Sequence, residues 1–172
     1  MEENDGGWIM KNGKIHIYTG DGHGKTPAAL GEALYAASAG KQVVVIQFMK
    51  GKGIFENDYV KRLEPEIKFF CFEKTESEYV DLNDEQRAEE NINIRNGFNF
   101  AKKVLSTNGC DLLILDEILG VLDVGVITVE DLKGLLEAKS DETTIIMTGI
   151  QLKDEVVSLV DEISKIESMP IA

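Results

Sequence analysis

Short apolar runs alternate with stretches of helical periodicity from residue 14 onward. "KIHIYT" (14–19) reads as a strand. A helix should follow from Lys25 to about Ala39, because Leu30, Ala33, Leu34 and Ala37 recur at helical spacing. Gly40 is placed to stop it. "QVVVIQFM" (42–49) is almost continuously apolar, as in a strand covered on both faces of a parallel sheet. "IKFFCF" (67–72) is a third strand, and residues 73–84 are acidic and irregular, the stretch expected to be a mobile loop. A long helix is predicted over 83–106, with Asn83 and Gln86 spaced as a capping box and Ile94, Phe98, Ala101 and Leu105 as its buried stripe. "CDLLILDE" (110–117) is a fourth strand ending in two acids. Thr128 and Asp131 cap another helix, with Val129, Leu132, Leu135 and Leu136 inside. "TTIIMT" (143–148), a helix near 153–160 and a strand near 162–167 complete the series.

This alternation predicts an α/β fold with a mostly parallel sheet flanked by helices. One domain covers residues 14–172, and residues 1–13 read as a flexible arm. The arm carries Trp8, Ile9 and Met10, which either anchor it locally or reach a neighbouring subunit.

Between the first strand and first helix lies "TGDGHGKTP", Thr19, Gly20, Asp21, Gly22, His23, Gly24, Lys25, Thr26 and Pro27. Strand, glycine-rich loop, Gly-Lys-Thr and helix in this order are the context of a phosphate-binding loop. Glycines let successive N–H groups converge on an anion, and the helix N-terminus adds partial positive charge. Lys25 supplies a full charge, Thr26 a hydroxyl for magnesium, and Pro27 sits in the first turn, where its missing N–H does little harm. The usual pattern begins with glycine, and here Thr19 stands at that position. Asp116 and Glu117 end a strand at the carboxyl edge where α/β sheets bind ligands, so they are candidates to hold magnesium directly or through water. An acid pair after a strand is otherwise an ordinary helix start. Gln47 and Lys50 follow the second strand and are possible ligand contacts, although a solvated lysine before a turn glycine, Gly51, explains Lys50 equally well. His23 could face phosphate or solvent, and His16 reads as a packed or edge side chain.

Composition narrows the partners. The formal charge of −13, from 31 acids against 18 Lys and Arg, repels nucleic acid and anionic membrane. Cys71 and Cys110 lack metal-ligand spacing and read as reduced thiols. With no signal-peptide pattern and no apolar run of spanning length, a cytoplasmic protein is expected.

Four segments together, "YTGDGHGKTPAALGEAL", "VVVIQFMKG", "DLLILDEILGVLDVGVI" and "IIMTG", resemble the P-loop ATP:corrinoid adenosyltransferases, the family acting on cob(I)yrinic acid a,c-diamide and cob(I)alamin. The similarity runs from about residue 14 to 149. In that family the loop has the form Thr-Gly-x-Gly-x-Gly-Lys-Thr, so Thr19 is a family feature. The resemblance implies a RecA-like fold, a homodimer, and transfer of the adenosyl group of ATP to cobalt(I) of a reduced corrinoid with release of triphosphate. It implies Mg²⁺ held by Thr26 and the acids Asp116 and Glu117, with the loop and Lys25 on the triphosphate. Some family features are missing: residues 72–84 hold only Phe72 and Tyr79 as aromatics where the family has a Gly-Phe-Thr-Trp-like segment, Ile150 and Gln151 stand where an arginine is usual, and the C-terminal His-Pro and Ala-Gln-x-Gly-Ile-Glu segments do not occur. The loop alone also fits an ATPase, a kinase or a nucleotide-binding paralogue without transfer chemistry.

Overall fold

The computed structural model describes residues 12–49 and 58–171. The apolar trio of the arm and Lys50 lie outside the described residues. Six strands form one sheet, β1 (Ile15–Thr19), β2 (Val43–Gln47), β3 (Ile67–Cys71), β4 (Leu112–Asp116), β5 (Thr144–Thr148) and β6 (Glu162–Lys165). Their order is β3-β2-β4-β5-β1-β6, and each pairing is parallel. β5 therefore separates the strand that leads into the glycine loop from the strand that ends in Asp116. This is the α/β, RecA-like P-loop architecture.

The sheet's two faces are read directly from side-chain alternation. Val43, Val45, Leu112, Ile114 and Ile146 meet helix α1 (Lys25–Ser38) on one face. Val44, Ile46, Leu113, Leu115, Ile145 and Met147 join the larger core under α3 (Asp84–Ser106) on the other. Both layers are needed because β2 and β4 are buried along their whole length. α1 stops at Gly40, whose φ of 77° a glycine adopts without strain.

Two expectations for α1 and the chain's end need correction. The buried stripe of α1 is Ala29, Ala33 and Ala36, whereas Leu34 is 52% exposed. Alanine has no long side chain, so the helix can lie close on the sheet, and the leucine is turned outward. The helix expected near 153–160 is the single turn α6 (Asp154–Val157). Two short helices were absent from the sequence reading, α2 (Asp58–Lys61) and α4 (Ile118–Asp123). α5 (Val129–Leu136) and α3 begin with the capping boxes their sequences predict, Thr128 with Asp131 and Asn83 with Gln86. The acidic stretch before α3 contains a 3₁₀ turn at Tyr79–Asp81 and is fastened to it. Tyr79 donates to Asn91 Oδ1 at 2.7 Å, Arg87 donates to the Val80 carbonyl at 2.9 Å, and Leu82 is buried.

Cys71 is exposed and Cys110 is buried. Burial, reinforced by the charge of Asp111, pushes the Cys110 thiol up to about 12, so it stays protonated and unreactive at neutral pH. No helix among the described residues is long and apolar enough to cross a membrane.

Candidate functional site

Each α1-facing row on the three central strands ends in a polar residue at the carboxyl edge. Val43 and Val45 lead to Gln47, Leu112 and Ile114 to Asp116, and Ile146 to Thr148. Gln47 and Asp116 are direct partners in the β2–β4 register. The three converge on one carboxylate. Asp116 Oδ1 accepts from Thr148 Oγ1 at 2.7 Å and from Thr26 Oγ1 at 2.8 Å, and Gln47 Nε2 reaches Oδ2 at 3.3 Å. Thr148 Oγ1 in turn accepts the backbone N–H of Glu117 at 2.8 Å. Asp116, Thr148 and Gln47 are all at most 2% exposed, so this network operates away from bulk water.

Thr26 comes from the loop's helix and Asp116 from β4, so the hydroxyl and the strand acid named from sequence meet. Glu117 takes a separate place. It caps the start of α4 in the left-handed region, at φ 63°. Thr148 was not among the residues read from sequence. Its signal was available in the alternation along "TTIIMT", where it lies on the same side as Ile146.

The donor set fits magnesium. A threonine hydroxyl and a carboxylate are hard oxygen ligands, and Mg²⁺ takes few protein ligands alongside phosphates and water. Gln47 Oε1 is buried with no hydrogen-bond partner among the described residues, an acceptor beside Asp116 that a metal-bound water could satisfy.

The glycine loop is held from both sides of β1. Thr19 is buried, and its hydroxyl donates to the Ile150 carbonyl at 3.0 Å while its own carbonyl accepts from Ile166 N at 2.8 Å. Thr19 thus ties the loop's first residue to the segments after β5 and β6. The left-handed backbone appears one residue later, at Gly20 with φ 111°, where a Cβ would collide with the Ile166 carbonyl. A Cβ on Gly22 would come within 2.8 Å of the backbone of Glu167 and Ser168. Gly24 is different. It caps α1 at φ 118°, and no atom of the described residues lies within 4 Å of where its Cβ would be. The first two glycines are required by the packed chain behind the loop, while the third faces open space at the helix N-terminus. The first turn of α1 contains no acidic residue to compete for an anion there.

Lys25 Nζ donates to the Gly22 carbonyl at 3.0 Å, folded over the loop it would share with phosphate. Asp21, His23 and Pro27 are exposed. His23 contributes a backbone N–H, which donates to Ser168 Oγ at 3.2 Å. Lys165, at the end of β6, is paired with Glu167, and this pair and the nearby Asp21 hold its ammonium above the ordinary lysine value.

His16 is a packed side chain, 7% exposed, with Nε2 2.8 Å from Ser164 Oγ. Beside it Tyr18 donates to Glu32, and burial first, then that bond, pushes the phenol above its ordinary range. These contacts fasten α1 to β1 and β6 below the loop.

A solved structure with a similar fold is the flagellar accessory protein FlaH from Methanocaldococcus jannaschii. It gives a TM-score of 0.61 at 15% identity over 95% of this chain and 75% of that one, a likeness of fold alone. Sequence relatives are more specific. The corrinoid adenosyltransferase of Escherichia coli K12 is 30% identical over 156 residues, covering 91% of this chain and 77% of its own. Corrinoid adenosyltransferase CobA of Salmonella typhimurium is 29% identical over the same share. The family model described as ATP:corrinoid adenosyltransferase BtuR/CobO/CobP matches residues 11–170, which takes in the loop, the Asp116 strand and Thr148. The chain belongs to the ATP:corrinoid adenosyltransferase family.

Proposed function

We propose that this protein transfers the 5′-deoxyadenosyl group of ATP to the cobalt(I) of a reduced corrinoid and releases inorganic triphosphate. The observation that carries the reading is the family match running through a site in which Thr26 of the loop and Asp116 of β4 meet at 2.8 Å. In this reaction the cobalt lone pair forms a bond to C5′, the C5′–O bond breaks, and its electron pair leaves on triphosphate. The chain must bind the triphosphate, orient C5′ towards cobalt and stabilise the charge that develops on the leaving oxygen. The N–H groups at the start of α1 and the ammonium of Lys25 would stabilise that charge. Thr26 and Asp116 would hold Mg²⁺, which supplies further positive charge to the leaving group. Glu117 would act on that ion through water. The nucleophile is the corrinoid's own cobalt, so the reading asks for no protein nucleophile and base. As the resemblance implies, the working unit is a homodimer.

The deciding experiment supplies ATP, Mg²⁺ and a chemically reduced corrinoid, then analyses both products. Adenosyl-corrinoid and inorganic triphosphate in equal amounts are expected. Orthophosphate or ADP would instead mark a phosphoryl-transfer enzyme. Bound ATP that is never consumed would mark a non-catalytic paralogue.

A further inference from the structure

Residues 166–168, which continue from β6, run along the back of the glycine loop and lend it side-chain chemistry. Ile166 N donates to Thr19 O at 2.8 Å and Gly22 N donates to Ile166 O at 3.1 Å, so the backbone ladder extends past the strand end and into the loop. Gly20 and Gly22 leave no room for a Cβ against this segment. The register is therefore fixed by backbone contact on both sides. That fixed register places the Ser168 hydroxyl 3.2 Å from the N–H of His23, one of the loop donors lying between Gly22 and Gly24. A hydroxyl that accepts one hydrogen bond still has its own proton to give. The Ser168 proton has no acceptor among the described residues, and the side chain is exposed.

We propose that Ser168 is a further triphosphate-binding residue, its hydroxyl accepting from His23 N–H and donating to a phosphate oxygen. The inference rests on the reading of the loop as the triphosphate site. A hydroxyl in this position extends the donor array by one group beyond the loop itself, and the N–H behind it polarises the O–H towards the anion. The contact reaches the site from the segment after β6, outside the phosphate-loop motif.

The test is calorimetric titration of inorganic triphosphate, in the presence of Mg²⁺, into wild type, Ser168→Ala, Ser168→Thr and Lys25→Ala. Loss of one hydrogen bond to an anion should weaken binding in Ser168→Ala by roughly tenfold. Ser168→Thr keeps the hydroxyl and should bind close to wild type. Thermal melting of each variant checks the fold, which an exposed hydroxyl should leave unchanged. Unaltered or tighter binding in Ser168→Ala, with Lys25→Ala clearly weakened, would overturn the proposal and leave Ser168 as a tie between the loop and the segment behind it. Unaltered binding in Lys25→Ala as well would overturn the phosphate site itself. Weakened binding in Ser168→Ala in a protein that makes no adenosyl-corrinoid would support the Ser168 contact and count against adenosyl transfer alone.

Discussion

Thr148 explains how a single methyl-for-hydroxyl difference can reach the site. Its Oγ1 bridges two groups, donating to Asp116 Oδ1 at 2.7 Å and accepting from Glu117 N at 2.8 Å. Thr148→Val keeps the shape and removes both bonds, leaving a buried carboxylate with one donor fewer and a backbone N–H with no acceptor. An unsatisfied buried group costs about 1–3 kcal/mol. Urea unfolding should therefore show a loss of that order, and Thr148→Ser should recover most of it. The same substitution removes one of the two donors that fix Asp116 Oδ1, so the carboxylate is less well positioned and ATP binding should need more Mg²⁺ to saturate. Equal stability of Thr148→Val and wild type would show that Asp116 is positioned by other contacts. Thr19 gives the opposite lesson about a residue read against a motif. The position needs no glycine because the left-handed φ falls on Gly20, and a threonine there gains a hydroxyl that holds the Ile150 carbonyl.

Elements whose signals are local were legible, and elements defined by distant partners were not. The capping box of α5 is such a local signal. Thr128 Oγ1 accepts from Asp131 N at 3.0 Å while Asp131 Oδ2 accepts from Thr128 N at 2.9 Å. Donation from the Thr128 backbone, then from its side chain, lowers the Asp131 carboxyl below its usual value. A depressed folded-state pKa means the contribution is complete above the unfolded carboxylate value and is lost as pH falls through the folded one. Asp131→Ala should cost about 0.5–1 kcal/mol at pH 7. The penalty should shrink towards zero as pH falls below about 3.9, where the wild-type carboxyl also begins to protonate. Denaturant unfolding of both proteins at the two pH values measures this directly, and a constant penalty would mean the methylene packing of Asp131 matters more than its charge. All six strands and the ends of α1 and α3 came from the same kind of reading. The buried face of α1 came only in part: Ala33 is buried and Leu30 and Ala37 pack against the same core, but hydrophobicity favours Leu34, whereas close approach to the sheet favours Ala29 and Ala36. α4 was missed because "ILGVLD" is too short to show a period. The glycine loop and its acid strand were visible as motifs. The meeting of Thr26 with Asp116, the role of Thr148 and the arrival of Ser168 depend on strand order, which no local pattern contains.

At the scale of the molecule, the site is where elements distant in sequence are joined. The Asp116 network links α1, β2, β4 and β5 through side chains, and the glycine loop links β1 to the segments that follow β5 and β6. Nearly every strand of the sheet therefore contributes to one edge. A ligand that bridges the loop and Asp116 adds cross-links between parts that already share one sheet, so its binding energy should appear as global stability. A ligand bound only to the native state stabilises it by about 2.7 kcal/mol at a hundredfold excess over Kd. For a chain of this size that corresponds to a rise in melting temperature of several degrees, roughly 5–10 °C. MgATP and inorganic triphosphate should both produce the rise, since the phosphates make the bridging contacts, and adenosine should produce little. Lys25→Ala should lose most of the shift with either phosphate ligand while melting near wild type without one, because among the described residues Lys25 Nζ is bonded to its own loop, at Gly22. Differential scanning calorimetry across these four conditions separates the possibilities. A shift produced by adenosine as fully as by ATP would move the binding energy away from the glycine loop, and the network centred on Asp116 would then be a device of folding rather than of triphosphate binding.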